Sequence, residues 1–157
     1  MTVHETFLKI AFDEAFEGMR NRSGGPFGAV VVCNGEVIGK SANRVLATHD
    51  PTAHAEISAI RQACEATGHY HLPGATLYTT CEPCPMCLGA IYWSGISEVY
   101  YALTREDAER MGFSDNHIYQ EVTRDPDNRN IPFIQLSSPA AEQLISEWNR
   151  NPDRELY

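Results

Sequence analysis

His54 and Glu56, two residues apart, and Cys84 and Cys87, three apart and further along, are the side chains of this 157-residue chain best suited to chemistry. An imidazole and two thiols form a donor set that suits zinc. Structural zinc sites are normally closed by four protein ligands, whereas hydrolytic sites use three and leave the last position to water. Three ligands with a spare carboxylate therefore predict one Zn2+ per subunit, its fourth ligand water or hydroxide, with Glu56 free to carry protons.

The spacing says which elements hold these groups. Asp50 or Thr52 can cap a helix, Pro51 suits a first helical position, and Ile57, Ile60 and Cys64 follow at helical spacing. A helix is predicted from about Thr52 to Ala66, with His54 and Glu56 in its opening turn. Residues two apart on a helix do not face the same way, so His54 is the ligand and Glu56 stands beside the water. Pro83 as a first helical residue predicts a second helix to about Ser94, closed by Gly95, that places Cys84 and Cys87 on one face. Unpaired amides and the positive end of the helix dipole there favour the thiolates that bind metal.

Cys81 and Cys84 form a second C-x-x-C, but Cys81 follows the strand-like run Leu77-Tyr78-Thr79-Thr80 and shares no helical face with Cys84. If Cys81 joined the other three ligands, the ion would be closed and the chain a structural zinc or partner-binding module without exchangeable water. His69 and His71 flank a turn with no third ligand nearby in sequence, and read as surface histidines.

A first helix is expected from His4 to Arg20, ended by Gly24-Gly25-Pro26. Phe27 to Cys33 reads as a nearly continuous apolar strand, and Asn34-Gly35 as a hairpin turn into a second strand from Glu36 to about Ser41. Further strands are expected at Ala75–Thr80, Glu98–Ala102 and Pro132–Leu136, and helices at about Arg105–Arg110 and Pro139–Trp148. A hairpin followed by alternating strands and helices predicts an α/β fold, a three-layer α-β-α sandwich with a five-stranded mixed sheet. At this length the chain is most simply one domain, 1–157.

Composition narrows the functional classes. Five cysteines, an odd number with three crowded between positions 81 and 87, do not suit a secreted disulfide framework; free thiolate ligands suit a reducing compartment. The amino terminus has no basic start or long apolar run, so a cytoplasmic protein with no membrane span is expected. A formal net charge of −9 disfavours nucleic acid as a partner, because binding to phosphates rests on Lys and Arg.

H-x-E paired with P-C-x-x-C is the signature of zinc-dependent nucleobase deaminases. The chain resembles the cytidine-deaminase-like superfamily and, within it, the small bacterial guanine deaminases. The likeness runs through His4–Leu8, Gly25–Val30, Asp50–Glu56, Cys81–Trp93, Gly112–Asp115, Ile131–Phe133 and Glu155–Tyr157. It implies a purine substrate, guanine, hydrolysed at C2 to xanthine and ammonia, with Glu56 and Asp115 as the proton carriers. It also implies that Phe27 stacks on the base, that Asn43 and the backbone at Ala55 hydrogen-bond it, and that Asp115 touches the departing amine. Tyr157 would close the pocket after exchange of the C-terminal segment within a homodimer.

Read without that resemblance, Phe27 is more simply a strand core residue, Asn43 a turn residue, Asp115 a loop cap and Tyr157 a frayed end. Trp93 lines the pocket or fills the core. Guanosine or triazine deamination and tRNA adenosine deamination are the alternative activities, the latter because its family shares the Asp50–Glu56 run.

Overall fold

In the computed structural model all 157 residues are described. The chain divides into two compact units, Met1–Asp115 and Asn116–Tyr157.

The first unit is built on a four-stranded sheet: β1 (Gly28–Cys33), β2 (Glu36–Ala42), β3 (Thr76–Cys81) and β4 (Glu98–Leu103), in spatial order β2-β1-β3-β4. β1 is antiparallel to both neighbours and β3 is parallel to β4, so the sheet is mixed. Asn34 and Gly35, at φ 51° and 81°, make the expected hairpin turn, which needs positive φ at both central residues.

Alternation along the strands sorts the side chains to two faces. Val30, Val32 and Tyr78 pack with Ala11 of α1 (Val3–Arg20) on one face. Ala29, Val31 and Leu77 pack on the other with Ala55, Ala59 and Ala63 of α3 (Ala55–Thr67) and Ile91 of α4 (Pro85–Trp93). Side chains of the size of Val30, Val31 and Leu77, each 0 % exposed, stabilise the fold by ~1.5–3 kcal/mol apiece relative to exposure. Thr2 caps α1 reciprocally with Glu5, which satisfies two of the orphan amides at its start.

The helices lie close enough that side chains are excluded at the contact points. A Cβ on Gly28 would sit 2.0 Å from the Ala11 carbonyl oxygen, and one on Gly39 would sit 2.2 Å from that of Ala59. Both strand glycines exist to admit a helix backbone.

The structure corrects three expectations. The helices that carry the chemical residues start later than their sequence signals: α3 opens at Ala55, with His54 as its N-cap, and α4 opens at Pro85, with Cys84 as its N-cap. A residue before proline is pushed out of the helical region, so Pro85 holds Cys84 extended, at ψ 169°, and Pro83 cannot be the first helical position. The fifth strand is absent. Residues 132–136 form no strand, and the sheet has four strands.

Two short helices, α2 (Val45–Thr48) and α5 (Arg105–Arg110), complete the first unit. The second holds α6 (Asn116–Val122), a 3-10 turn at Pro126–Asn128 and α7 (Pro139–Arg150), and none of its residues is buried. No helix is long and apolar enough to cross a membrane.

Candidate metal centre and active site

Two helix N-termini bring the ligands together. The segment before α3 is shaped by Asp50, whose Oδ1 accepts hydrogen bonds from the Thr52 amide at 2.8 Å and the Thr52 hydroxyl at 2.7 Å. Asp50 thus organises a turn ahead of the helix instead of capping the helix itself. His54 then occupies the N-cap with no side-chain capping bond, so its imidazole is available for another task. Cys84 does the same for α4.

His54 Nδ1 lies 3.5 Å from Cys84 Sγ and 3.6 Å from Cys87 Sγ, and the three ligand atoms all fall within 4.8 Å of one another. These separations test the metal directly. A tetrahedral ion with Zn–N of ~2.0–2.1 Å and Zn–S of ~2.3 Å places nitrogen and sulfur about 3.6 Å apart. The donor set and its spacing fit zinc.

The thiols behave as a pair that is ready for a cation. The hydrogen bond from Cys87 brings Cys84 down to about 4, with His54 acting in the same sense. Cys87 is shifted upward, because it donates to that thiolate and is buried. The Cys84 contact raises His54. A bound metal ion takes over the role of the shared proton and displaces it.

Glu56 stands in the first turn of α3, 6 % exposed, and is not one of the three grouped ligands. Burial raises its carboxyl above the usual range, and the charge of Cys84 acts in the same direction. A buried carboxyl whose pKa is raised toward the working range is suited to accept and return a proton. Its Oε1 accepts a hydrogen bond from Thr79 Oγ1 at 3.3 Å. Thr79 carries no motif; the signal available in sequence was a polar residue on the strand face shared with Leu77.

Cys81 ends β3 with its Sγ 3.5 Å from the Thr104 carbonyl oxygen, to which it donates. Burial pushes its thiol up to about 11. It is turned to a backbone acceptor and lies outside the ligand group, as do His69 and His71.

Of the residues expected to meet the base, Phe27 precedes β1 and meets Phe113 edge-on, with ring centroids 5.0 Å apart. Asn43 is 6 % exposed, and its Oδ1 accepts from the backbone amides of Gly25 at 3.3 Å and Val45 at 3.2 Å. Two amide donors on one end fix the side-chain orientation, so Nδ2 is the end left to donate. Gly24 permits this placement, since a Cβ there would lie 2.0 Å from Asn43 Oδ1. Ala55 is fully buried at the first position of α3, where a backbone N–H has no acceptor within the helix. Asp115 has its carboxyl raised by partial burial and by the charge of Cys84, which places it in the field of the metal ligands.

Trp93 and Tyr157 are the two exposed residues among those expected at the site. Trp93 is 68 % exposed at the last position of α4, about 13 Å along the axis from Cys84 at 1.5 Å per residue. Tyr157 is 82 % exposed and belongs to the second unit.

Residues 1–103 match the family model described as the cytidine and deoxycytidylate deaminase zinc-binding region. The chain is 46 % identical to the guanine deaminase of Bacillus subtilis (strain 168) over 154 residues, covering 98 % of this chain and 99 % of that one. The crystal structure of Bacillus subtilis guanine deaminase superposes with a TM-score of 0.96 over 100 % of this chain and 99 % of the other, at 46 % identity. A tRNA-specific adenosine deaminase of Agrobacterium fabrum (strain C58 / ATCC 33970) is 50 % identical over 95 residues, covering 60 % of this chain and 62 % of its own length.

Proposed function

Because the chain belongs to the cytidine and deoxycytidylate deaminase family of zinc enzymes, we propose that it hydrolyses guanine to xanthine and ammonia. One observation carries the substrate. A solved guanine deaminase superposes on the whole chain at a TM-score of 0.96, the second unit included, whereas a solved tRNA:A34 deaminase superposes on 64 % of it at 0.61, although a tRNA-specific adenosine deaminase of Aquifex aeolicus (strain VF5) aligns in sequence over 92 % of the chain at 43 % identity. The net charge of −9 also speaks against a substrate held through its phosphates.

His54, Cys84 and Cys87 would hold the zinc. When bound, the ion would supply a water acidified from 15.7 to about 7. The remaining work falls to the protein's own groups. Glu56 takes a proton from water and gives it to a ring nitrogen as oxygen adds at C2. Asp115 carries the proton that leaves with the exocyclic amine, so that guanine and water become xanthine and ammonia. Phe27 stacks on the purine, Asn43 Nδ2 donates to it, and the Ala55 amide donates to an acceptor on its edge. Buried donors built for one base edge reject a base that lacks the matching groups by roughly 10⁴ or more.

The second unit supports a reading as a homodimer in which this segment is exchanged, the whole of 1–157 working as one deaminase domain. Ile131, Phe133, Ile134, Leu136, Leu144 and Ile145 are all more than half exposed, and such a surface calls for a covering partner. Five unpaired thiols support a cytoplasmic location.

Ammonia release by the zinc-loaded chain, measured over guanine, adenine, cytosine, guanosine, a triazine and a tRNA stem-loop, tests the assignment. Guanine is expected to be turned over with the highest kcat/KM. Preference for the stem-loop, with binding that weakens steeply with salt, would establish the tRNA alternative instead.

A further inference from the structure

Glu56 brings a carboxylate into a nearly dry layer between α3 and the sheet, where its own backbone amide and the Cys87 thiol meet it from the helix side. What faces it is a strand, and one residue of that strand breaks the apolar pattern. Leu77 and Thr79 share a face of β3, two residues apart, and Leu77 is packed against Ala55 and Ala59 of α3. Thr79 is 1 % exposed and is paired on both sides, with Ala29 of β1 and Tyr101 of β4. It is held by the centre of the sheet. A buried hydroxyl takes a hydrogen-bond partner, and here that partner is Glu56 Oε1 at 3.3 Å.

The neighbouring threonine makes the contrast. Thr80 points to the other face, where its Oγ1 accepts from the Gly28 amide at 3.1 Å, a bond that ties β3 to β1 and touches no chemical group. The two adjacent threonines therefore have separate duties. Thr79, being β-branched, has few χ1 states, so its hydroxyl is a stiff donor on a stiff strand. A group that must meet both water and a base gains from such an anchor, because misplacement of the order of 1 Å can cost roughly 10²-fold in rate.

We propose that Thr79 is a positioning residue for the reaction: its hydroxyl pins Oε1 of Glu56, so that Oε2, the oxygen the strand does not hold, is the one that takes and returns the proton. This rests on Glu56 being the proton carrier. Thr79 itself touches neither metal nor base.

The test uses the full zinc-loaded chain with Thr79→Val, which keeps shape and removes the hydroxyl, and Thr79→Ser, which keeps the hydroxyl. Thr79→Val is expected to lower kcat on the order of 10²-fold at nearly unchanged KM, the pattern of a lost transition-state contribution. Zinc content should stay at one per chain, and Thr79→Ser should recover most of the rate. In a crystal structure of Thr79→Val the Glu56 carboxylate should leave its present position. Should Thr79→Val fail to fold, Thr79→Ala provides the same comparison. Unchanged kcat in the valine variant, or a joint loss of zinc, KM and kcat that serine does not rescue, would overturn the inference. Glu56→Gln run in parallel separates the two claims: an active glutamine variant defeats the role of Glu56, whereas an inactive one beside a fully active Thr79→Val defeats only the role of Thr79.

Discussion

In β1, five consecutive residues from Gly28 to Val32 are buried, whereas α7, twice as long, buries none. The strand belongs to a unit whose apolar side chains enclose one another on both faces of a sheet and whose buried polar groups meet named partners. The helix belongs to a unit whose Leu144, Ile145 and Trp148 are 70 %, 53 % and 44 % exposed at the spacing of a single helical face. The contrast separates two kinds of stability. The metal centre rests on a core that residues 1–115 build for themselves, while the C-terminal segment leaves an apolar face exposed.

Four experiments probe this contrast between the two units. The largest effect is expected within the first unit, from Glu56→Gln: turnover should fall by roughly 10²–10⁴-fold, the range of a general acid–base group. Metal analysis of the same variant should still find zinc, since Glu56 lies outside the ligand group. Loss of the metal would count Glu56 among the ligands and remove the distinction.

Stripping zinc with a chelator comes next. Its binding energy is part of the first unit's stability, so calorimetry should show a lower Tm, equivalent to about 2.7 kcal/mol if free zinc stood at 100 times Kd. An unchanged melting profile would mean the ligands are held together without the ion.

Gly28→Ala probes the packing. With the Ala11 carbonyl 2.0 Å from the new Cβ, overpacking should cost about 1–3 kcal/mol in denaturant unfolding. Gly89→Ala, whose Cβ meets nothing, should be neutral or stabilise α4 by up to ~1 kcal/mol. Equal effects at the two glycines would refute the close helix-to-strand approach.

The smallest effect on unfolding is expected in the second unit. The double change Leu144→Ser and Ile145→Ser should alter unfolding of the metal-bearing unit by no more than about 0.5 kcal/mol, yet, on the proposed exchanged dimer, shift sedimentation from dimer to monomer. A variant that remained dimeric would show that the apolar face of α7 is not what the association covers.

The parts legible in the sequence were those that chemistry spells out locally. His54, Cys84 and Cys87 announce a metal by residue type and spacing, and the structure brings their ligand atoms together. The apolar runs of β1 and β3 and the Asn34-Gly35 turn likewise need no distant information. Where local signals competed, the sequence reading erred. Pro83 and Pro85 both offer a helix start, and the restriction that Pro85 places on Cys84 decides between them. The largely apolar run at Pro132–Leu136 reads as a strand, but a strand needs a neighbour to pair with, and β4 ends the sheet. Thr79 and the orientation of Asn43 were out of reach for another reason. Each is defined by a partner brought close only by folding: Glu56 for the first, and the Gly25 amide, 18 residues away, for the second.

Hydrolysis by this chain turns on a zinc ion held by three protein ligands with its last position open to solvent. X-ray absorption at the zinc edge, on a preparation assayed for guanine turnover, measures that directly. One nitrogen and two sulfur neighbours with one further light, exchangeable neighbour is the expected result. A third sulfur, which would have to come from Cys81 leaving the Thr104 carbonyl, would close the ion and contradict a hydrolytic role.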